Sequence, residues 1–187
     1  MKSAFNFKTI LDEKWWKAGP TLLGPSQITN APGYDGIREV TVSPDNMNVY
    51  AACYNAKSIV TYARDPSTGV LSYKASHNKA SYLTGAFSVV VSPDNKNVYA
   101  AGYISNSIVT FNRDATTGEL SGQTVIKDAE NLDGAQSVIV SPDNRNVYVA
   151  AQTSHSIVTF KRDTTTGALS DKLVTFDAIN LQDVSSV

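Results

Sequence analysis

Three ionisable side chains of this chain have the chemistry needed to hydrolyse a substrate with water, namely Arg38, Glu39 and His155. An arginine can hold an anion or stabilise a developing oxyanion, and a carboxylate or an imidazole can act as a general base. A structural interpretation competes with this one. Arg38 and Glu39 are neighbours, so in a strand they would point to opposite faces. His155 is equally compatible with a solvated loop position.

The sequence elements that must position these residues occur three times along the chain. The segments TVSPDNMNVYAA, VVSPDNKNVYAA and IVSPDNRNVYVA begin at Thr41, Val90 and Ile139, so each starts 49 residues after the one before. They are followed by KSIVTYARDPSTGVLS, NSIVTFNRDATTGELS and HSIVTFKRDTTTGALS. A fixed period of this length is typical of a repeat architecture.

Each repeat contains four short extended runs that are rich in Val, Ile, Tyr, Phe and Thr. In the second repeat they are Ser88–Val91, Asn97–Tyr103, Ser107–Phe111 and a run that begins near Leu120. Four antiparallel strands per repeat predict an all-β fold, a β-propeller with about three and a half four-stranded blades of 49 residues. A solenoid is the competing geometry, but it usually has fewer strands per repeat, joined in parallel coils.

Two turns recur in every blade. Ser-Pro-Asp-Asn predicts a tight turn between the first and second strands, because proline presets φ at the second turn position. An Arg-Asp pair opens the turn between the third and fourth strands. Arg and Asp can pair locally there, but a surface ion pair contributes only about 0 to 1 kcal/mol, and we interpret these residues as structural. The pairs are Arg64-Asp65, Arg113-Asp114 and Arg162-Asp163.

The repeat predicts the organisation of the whole chain. Residues 1–36 align faintly with the third and fourth strands of a blade and form a degenerate half blade. Residues 37–85, 86–134 and 135–183 form blades 1, 2 and 3, and residues 184–187 begin the first strand of a further blade.

An incomplete propeller exposes apolar blade faces and strand edges, which favours association. Three outcomes are open: a four-bladed ring from one chain, a head-to-tail pair of chains, or a fragment of a longer propeller. We favour the homodimer, whose two-fold symmetry requires an even number of blades. The tryptophans Trp15 and Trp16 lie in the atypical N-terminal segment and are candidates for contacts with a partner blade.

The repeat resembles a known family. The pattern V-S-P-D-N/G-x-x-V-Y-V-A, followed by S-I-V-T-F-x-R-D-x-x-T-G-x-L, is similar to that of the lactonase-type β-propeller family, which includes bacterial 6-phosphogluconolactonase-like proteins. The resemblance covers Gly36–Val187. Family members usually close seven blades, about twice this length. They bind ligands at the rim formed by the loops between the fourth and first strands and between the second and third strands.

The resemblance therefore implies where a ligand would bind. The candidate rim residues are Asp35, Tyr54, Asn55, Lys57, Tyr103, Asn106, Asp133, Gln136 and Gln152. Two functions are compatible with such a rim. We expect a non-catalytic binding or assembly module for a small molecule or a protein. The alternative is a lactonase-like hydrolase that acts on a sugar lactone or a related anionic lactone, with Arg38, Glu39 and His155 as its catalytic groups.

Composition excludes several other functions. The net charge is −1, and Lys and Arg are spread along the chain without forming a basic stripe, so we expect no binding to nucleic acid. Cys53 is the only cysteine, and we interpret it as a buried strand residue. No metal-ligand motif or cofactor motif is present, so we expect neither group. We find no signal peptide and no apolar membrane-spanning run, which favours the cytoplasm; secretion is the alternative if a leader is missing.

Overall fold

The structure is a computed structural model that describes residues 35–176 and Ser186. Twelve strands form three four-stranded antiparallel sheets, and in each sheet the strands lie side by side in chain order. Blade 1 consists of β1 (Ile37–Val42), β2 (Asn48–Cys53), β3 (Ser58–Arg64) and β4 (Leu71–Asn78). The short helix α1 (Ala80–Leu83) leads into blade 2, which consists of β5 (Ala86–Val91), β6 (Asn97–Gly102), β7 (Ser107–Arg113) and β8 (Leu120–Lys127). Blade 3 consists of β9 (Ala135–Val140), β10 (Asn146–Ala151), β11 (Ser156–Arg162) and β12 (Leu169–Phe176).

The predicted all-β fold is confirmed as a partial β-propeller, with three sheets that do not close into a ring. The half blade predicted for residues 1–36 and the strand predicted for residues 184–187 lie outside the described residues, apart from 35–36 and Ser186. Trp15 and Trp16 lie outside them as well.

The core lies between the blades, in apolar clusters to which two neighbouring sheets contribute. Tyr50, Ala52 and Ile59 of blade 1 pack against Val109 and Phe111 of blade 2 in one apolar cluster. The residues 49 positions later form the corresponding cluster between blades 2 and 3. Side chains on a strand alternate between faces, so each blade presents one face to the preceding blade and the other to the following blade.

A buried arginine joins blade 2 to blade 1. The guanidinium of Arg113 donates to the Asp45 carboxylate at 2.7 Å, to the Asn48 side-chain oxygen at 2.7 Å and to the Tyr50 hydroxyl at 2.8 Å. The Tyr50 hydroxyl in turn donates to the Gly118 carbonyl at 2.8 Å. We call this set, an arginine from the third strand with Asp, Asn and Tyr of the preceding blade, the interblade lock.

The same lock joins blade 3 to blade 2. Arg162 donates to the Asp94 carboxylate at 2.9 Å, to the Asn97 side chain at 2.7 Å and to the Tyr99 hydroxyl at 2.7 Å. Tyr99 donates to the Gly167 carbonyl at 2.8 Å. Burial raises the pKa of Tyr99 to about 12, against the opposing influence of the adjacent Arg162 cation.

The local Arg-Asp pairing that the sequence allows does not form in blades 2 and 3. The side chains of Arg113 and Arg162 are 0% exposed and bind aspartates of the preceding blade. Their sequence neighbours Asp114 and Asp163 instead accept hydrogen bonds from the backbone N–H groups of their own turn. The difference arises because Arg and Asp point to opposite sides at the end of the third strand.

The locks predict a loss of stability in acid. Burial alone would raise the pKa of Asp45, but hydrogen bonds from Ser43, the Met47 N–H, Asn95 and Arg113 hold it well below its ordinary value of 3.8. A lowered folded-state pKa contributes stability above the unfolded pKa, about 3.9, and this contribution is lost as the pH falls toward the folded value. We expect the free energy of unfolding to decline below about pH 4.

Urea unfolding at a series of pH values measures this decline. In Asp45→Asn the free energy of unfolding should be lower at neutral pH and should change less as the pH falls. Glu130→Gln, at an exposed position, should follow the wild type. An unchanged acid slope in Asp45→Asn would contradict the linkage.

Candidate functional site

Backbone hydrogen bonds assign the loops to two rims. The N–H groups of Tyr54 and Tyr103, which open the loops between second and third strands, donate to the carbonyls of Gly36 and Gly85 just before the first strands. These loops therefore share one rim, which we call the ligand rim. At the other end of each blade the third strand meets the Ser-Pro-Asp-Asn turn, as where the Arg113 N–H donates to the Lys96 carbonyl. The interblade locks lie on that opposite rim.

Four residues form a cluster on the ligand rim across the junction of blades 1 and 2. The guanidinium carbon of Arg38 lies 4.9 Å from the ring centre of Tyr54 and 5.5 Å from that of Phe87. The ring centres of Tyr54 and Phe87 are 6.1 Å apart, and those of Phe87 and Tyr103 are 5.8 Å apart. We call Arg38, Tyr54, Phe87 and Tyr103 the rim cluster.

Strand geometry explains why these residues meet. Arg38 and Phe87 occupy the same position at the start of the first strands β1 and β5, at an irregularity in the pairing with the second strand. Tyr54 and Tyr103 directly follow the second strands, which places them beside the start of the first strands. Adjacent blades thus bring two strand residues and two loop residues into contact.

The rim cluster combines a cation with aromatic faces. Cation–π contacts hold the guanidinium in place without using its N–H donors. Arg38 is exposed, so its donors are available to a carboxylate, a phosphate or an oxyanion. The ring faces offer an apolar surface for the C–H groups of a sugar-like ring. The arrangement is therefore suited to a small anionic or carbonyl-bearing ligand with an apolar face.

Glu39 connects two blades. One oxygen of its carboxylate accepts a hydrogen bond from the Val89 N–H at 2.7 Å. In the next blade Ser88, at the equivalent position, accepts from the Val138 N–H at 3.0 Å. The same contact made by a serine identifies this position as a link between neighbouring first strands.

His155 occupies a turn position that the repeat uses for backbone geometry. Its φ of 49° is in the left-handed region, as are the values of 54° at Lys57 and 49° at Asn106. Its N–H donates to the Gln152 carbonyl at 3.1 Å and closes the turn. The structure thus places His155, Lys57 and Asn106 at equivalent turns on the ligand rim, one in each blade, rather than together.

The remaining candidates lie along the same rim. Asp35 accepts a hydrogen bond from the Asn55 side chain at 3.3 Å, so this pair ties the loop of blade 1 to the residue before β1. Gln136 and Gln152 occupy in blade 3 the positions of Phe87 and Tyr103 in blade 2. The Gln136 side-chain oxygen is buried and has no hydrogen-bond partner among the described residues.

Asp133 lies beside these glutamines on the rim of blade 3. Its backbone carbonyl accepts from the Ser154 N–H at 3.1 Å, which ties the loop before β9 to the loop that follows β10.

Phe87 is not among the candidate rim residues given above, although it shares a repeat position with two of the candidates. The signal that identifies it is positional: it stands where blade 1 has Arg38 and blade 3 has Gln136. Its contact with Arg38 crosses a blade boundary, so it follows only from the packing of two sheets.

Other chemistries have no support in the part of the chain that the structure describes. No group of three His, Cys, Asp or Glu residues there is placed to hold a metal ion. Cys53 is fully buried, and burial raises the pKa of its thiol to about 11. Among residues 35–176 no helix is long and apolar enough to cross a bilayer.

Comparisons with known proteins point to one family. Residues 73–182 match the family model described as "Lactonase, 7-bladed beta-propeller". No curated protein sequence matches the chain significantly.

Solved structures with the same fold extend well beyond this chain. A Bacteroides uniformis protein provisionally described as a 6-phosphogluconolactonase has a TM-score of 0.66 and 21% identity, over 79% of this chain and 42% of its own. The periplasmic gluconolactonase of Pseudomonas aeruginosa has a TM-score of 0.66 and 24% identity, over 77% of this chain and 40% of its own. The chain thus spans about two fifths of these structures, and the likeness shows the fold.

Proposed function

Because the chain belongs to the family of seven-bladed β-propeller lactonases, we propose that it forms the substrate-binding arc of a lactonase-like hydrolase, with the rim cluster as the binding site. The observation that carries this proposal is the Arg38 guanidinium held over the rings of Tyr54 and Phe87 on the ligand rim. Family membership favours hydrolysis over the non-catalytic module expected from the sequence.

The cluster supplies two things that lactone hydrolysis needs. Water adds to the ring carbonyl, the C–O bond of the ring breaks, and the alkoxide takes up a proton to give an open-chain hydroxy acid. The addition concentrates negative charge on the former carbonyl oxygen, which the N–H donors of Arg38 can stabilise. The aromatic faces of Phe87 and Tyr103 hold the sugar ring beside that cation.

Arg38 can contribute in either of two ways, and the choice of substrate separates them. If Arg38 binds a substrate phosphate, a phosphorylated δ-lactone should be preferred, and Arg38→Ala should raise its KM about 10- to 100-fold. If Arg38 stabilises the oxyanion, Arg38→Ala should lower kcat about 100-fold for phosphorylated and unphosphorylated lactones alike.

The experiment measures acid release from both lactones in a pH-stat, above the rate of spontaneous hydrolysis. Phe87→Ala should weaken binding about tenfold through loss of the ring contact. Arg145→Ala is the control, because it removes an exposed arginine from the opposite rim. Saturable binding without turnover would favour the non-catalytic module, and turnover that is unchanged in Arg38→Ala would exclude the rim cluster.

A further inference from the structure

A β-bulge in the first strand of blade 1 directs two neighbouring charged side chains toward blade 2. In the pairing of β1 with β2, Ile37 is opposite Cys53 and Glu39 is opposite Ala52, so Arg38 is an extra residue without a partner. Such a bulge re-aims the side chains around it. Arg38 and Glu39 would point to opposite faces of a regular strand, but here both contact β5 of the next blade.

The two charged groups meet β5 at positions two residues apart. The guanidinium carbon of Arg38 lies 5.5 Å from the centre of the Phe87 ring, and one carboxylate oxygen of Glu39 accepts from the Val89 N–H at 2.7 Å. A strand rises about 3.3 Å per residue, so these two positions are roughly 7 Å apart along β5. That interval leaves room for a carbonyl group beside the guanidinium and a water molecule beside the carboxylate, each at a hydrogen-bond distance of about 3 Å.

The link between the first strands uses only one of the two carboxylate oxygens of Glu39. In the next junction the hydroxyl of Ser88 makes the same link by accepting from the Val138 N–H at 3.0 Å. A serine therefore suffices for the structural contact, and the second oxygen of Glu39 exceeds what the repeat requires. Among the described residues, this second oxygen accepts no hydrogen bond. The bond to Val89 thus fixes the carboxyl group and leaves one oxygen available to a ligand or to water.

The two charges do not neutralise each other. Among residues 35–176, neither Arg38 nor Glu39 has an ion-pair partner. Aromatic rings hold the guanidinium, and a backbone N–H holds the carboxylate. A carboxylate that is not paired with a cation can take a proton from water, and a guanidinium that is not paired with an acid keeps its N–H donors for a ligand.

We propose that Glu39 is the general base of the lactone hydrolysis, and that its second carboxylate oxygen binds the attacking water. The inference rests on the proposed function and adds to it the group that moves the proton. Of the three described blades, only blade 1 carries two charges at this bulge. The equivalent positions hold neutral residues, which are Phe87 and Ser88 in blade 2 and Gln136 and Ser137 in blade 3.

One carboxylate accounts for both proton transfers of the reaction. Glu39 takes a proton from water as the water oxygen bonds to the carbonyl carbon of the lactone, and the Arg38 guanidinium stabilises the oxyanion that forms. When this oxyanion collapses, the C–O bond of the ring breaks, and the leaving alkoxide takes the proton from Glu39. The product is an open-chain hydroxy acid, and Glu39 is again a carboxylate.

Glu39→Gln and Glu39→Ser distinguish a base from a structural link. Both variants keep an oxygen that can accept from the Val89 N–H, as Ser88 accepts from Val138 in the next junction. Both lose the carboxylate, so kcat for phosphorylated and unphosphorylated δ-lactones in a pH-stat should fall about 100- to 10,000-fold. Ser88→Ala is the matched control, because it removes the equivalent link without removing an ionisable group, and it should keep the kcat of the wild type.

Chemical rescue gives a second readout that a purely structural role would not produce. In Glu39→Ala, added formate should restore turnover, because a small carboxylate can occupy the place of the missing side chain; hydrolysis by the same formate without protein is subtracted. Circular dichroism should show wild-type strand content in all the variants. Wild-type turnover that persists in Glu39→Gln and Glu39→Ser would overturn this inference and leave the proposed function in place. A wild type without turnover would overturn both.

Discussion

Replacing Arg113 with alanine is expected to lower the free energy of unfolding by about 3 to 5 kcal/mol, the usual result of removing one partner of a buried ion pair. The guanidinium is fully buried and donates to Asp45, Asn48, Tyr50 and the Asn95 carbonyl. Without it, the Asn48 and Tyr50 side chains of blade 1 lose this donor inside the junction, and the Asp45 carboxylate loses its cation. The predicted effect is therefore many times that of a surface pair.

Urea denaturation at a single protein concentration measures the difference. Arg145→Ala is the matched control, because this arginine is exposed and should contribute less than about 1 kcal/mol. The loss of stability in Arg113→Lys should lie between those of the two alanine variants. An ammonium keeps the charge but cannot donate to several acceptors at once as the planar guanidinium does. If Arg113→Ala were as mild as Arg145→Ala, the lock would not hold the blades together.

Gly118→Ala is expected to destabilise the protein by about 2 to 5 kcal/mol, from two sources. Gly118 has a φ of 78°, a left-handed conformation that costs an alanine about 1 to 2 kcal/mol. An added Cβ would also overlap the Asn48 side chain, which itself accepts from Arg113. Overpacking of this kind costs typically 1 to 3 kcal/mol.

Gly69→Ala separates the two contributions. Gly69 occupies the same turn of blade 1 with a φ of 75°, but an added Cβ there meets nothing within 4 Å. Its substitution should therefore cost only the backbone term, about 1 to 2 kcal/mol. The melting temperatures of the two variants give the comparison. Equal shifts would mean that contact with Asn48 contributes nothing at the blade junction.

The interblade locks affect the ligand rim because they fix the spacing between adjacent blades. Arg38 of blade 1 reaches Phe87 of blade 2 only if the two sheets keep the spacing that Arg113 and Asp45 hold at the other rim. The repeated Ser-Pro-Asp-Asn turns, which carry Asp45 and Asp94 of the locks, thus contribute to a site at the opposite end of the blades.

Part of the candidate site could be predicted from the repeat alone. Equivalent positions in the three blades identify Arg38, Tyr54, Tyr103, Gln136 and Gln152 as rim residues, because turns between paired strands must lie at the ends of the sheet. The contact that Glu39 makes with the next blade could not be predicted. The sequence places a carboxylate beside an arginine, and only the packing of two blades brings it to the Val89 N–H.

The sequence by itself determined the period of 49 residues, the four strands of each blade and the turns between them. These features depend on neighbouring residues: side chains alternate along a strand, and proline, asparagine and glycine favour particular turns. Only the tertiary structure decided which groups meet across blades, as Arg113 meets Asp45 and Arg38 meets Phe87. Such pairs depend on how two sheets are placed relative to each other. The packing of their buried faces sets that placement, and a linear sequence pattern does not contain it.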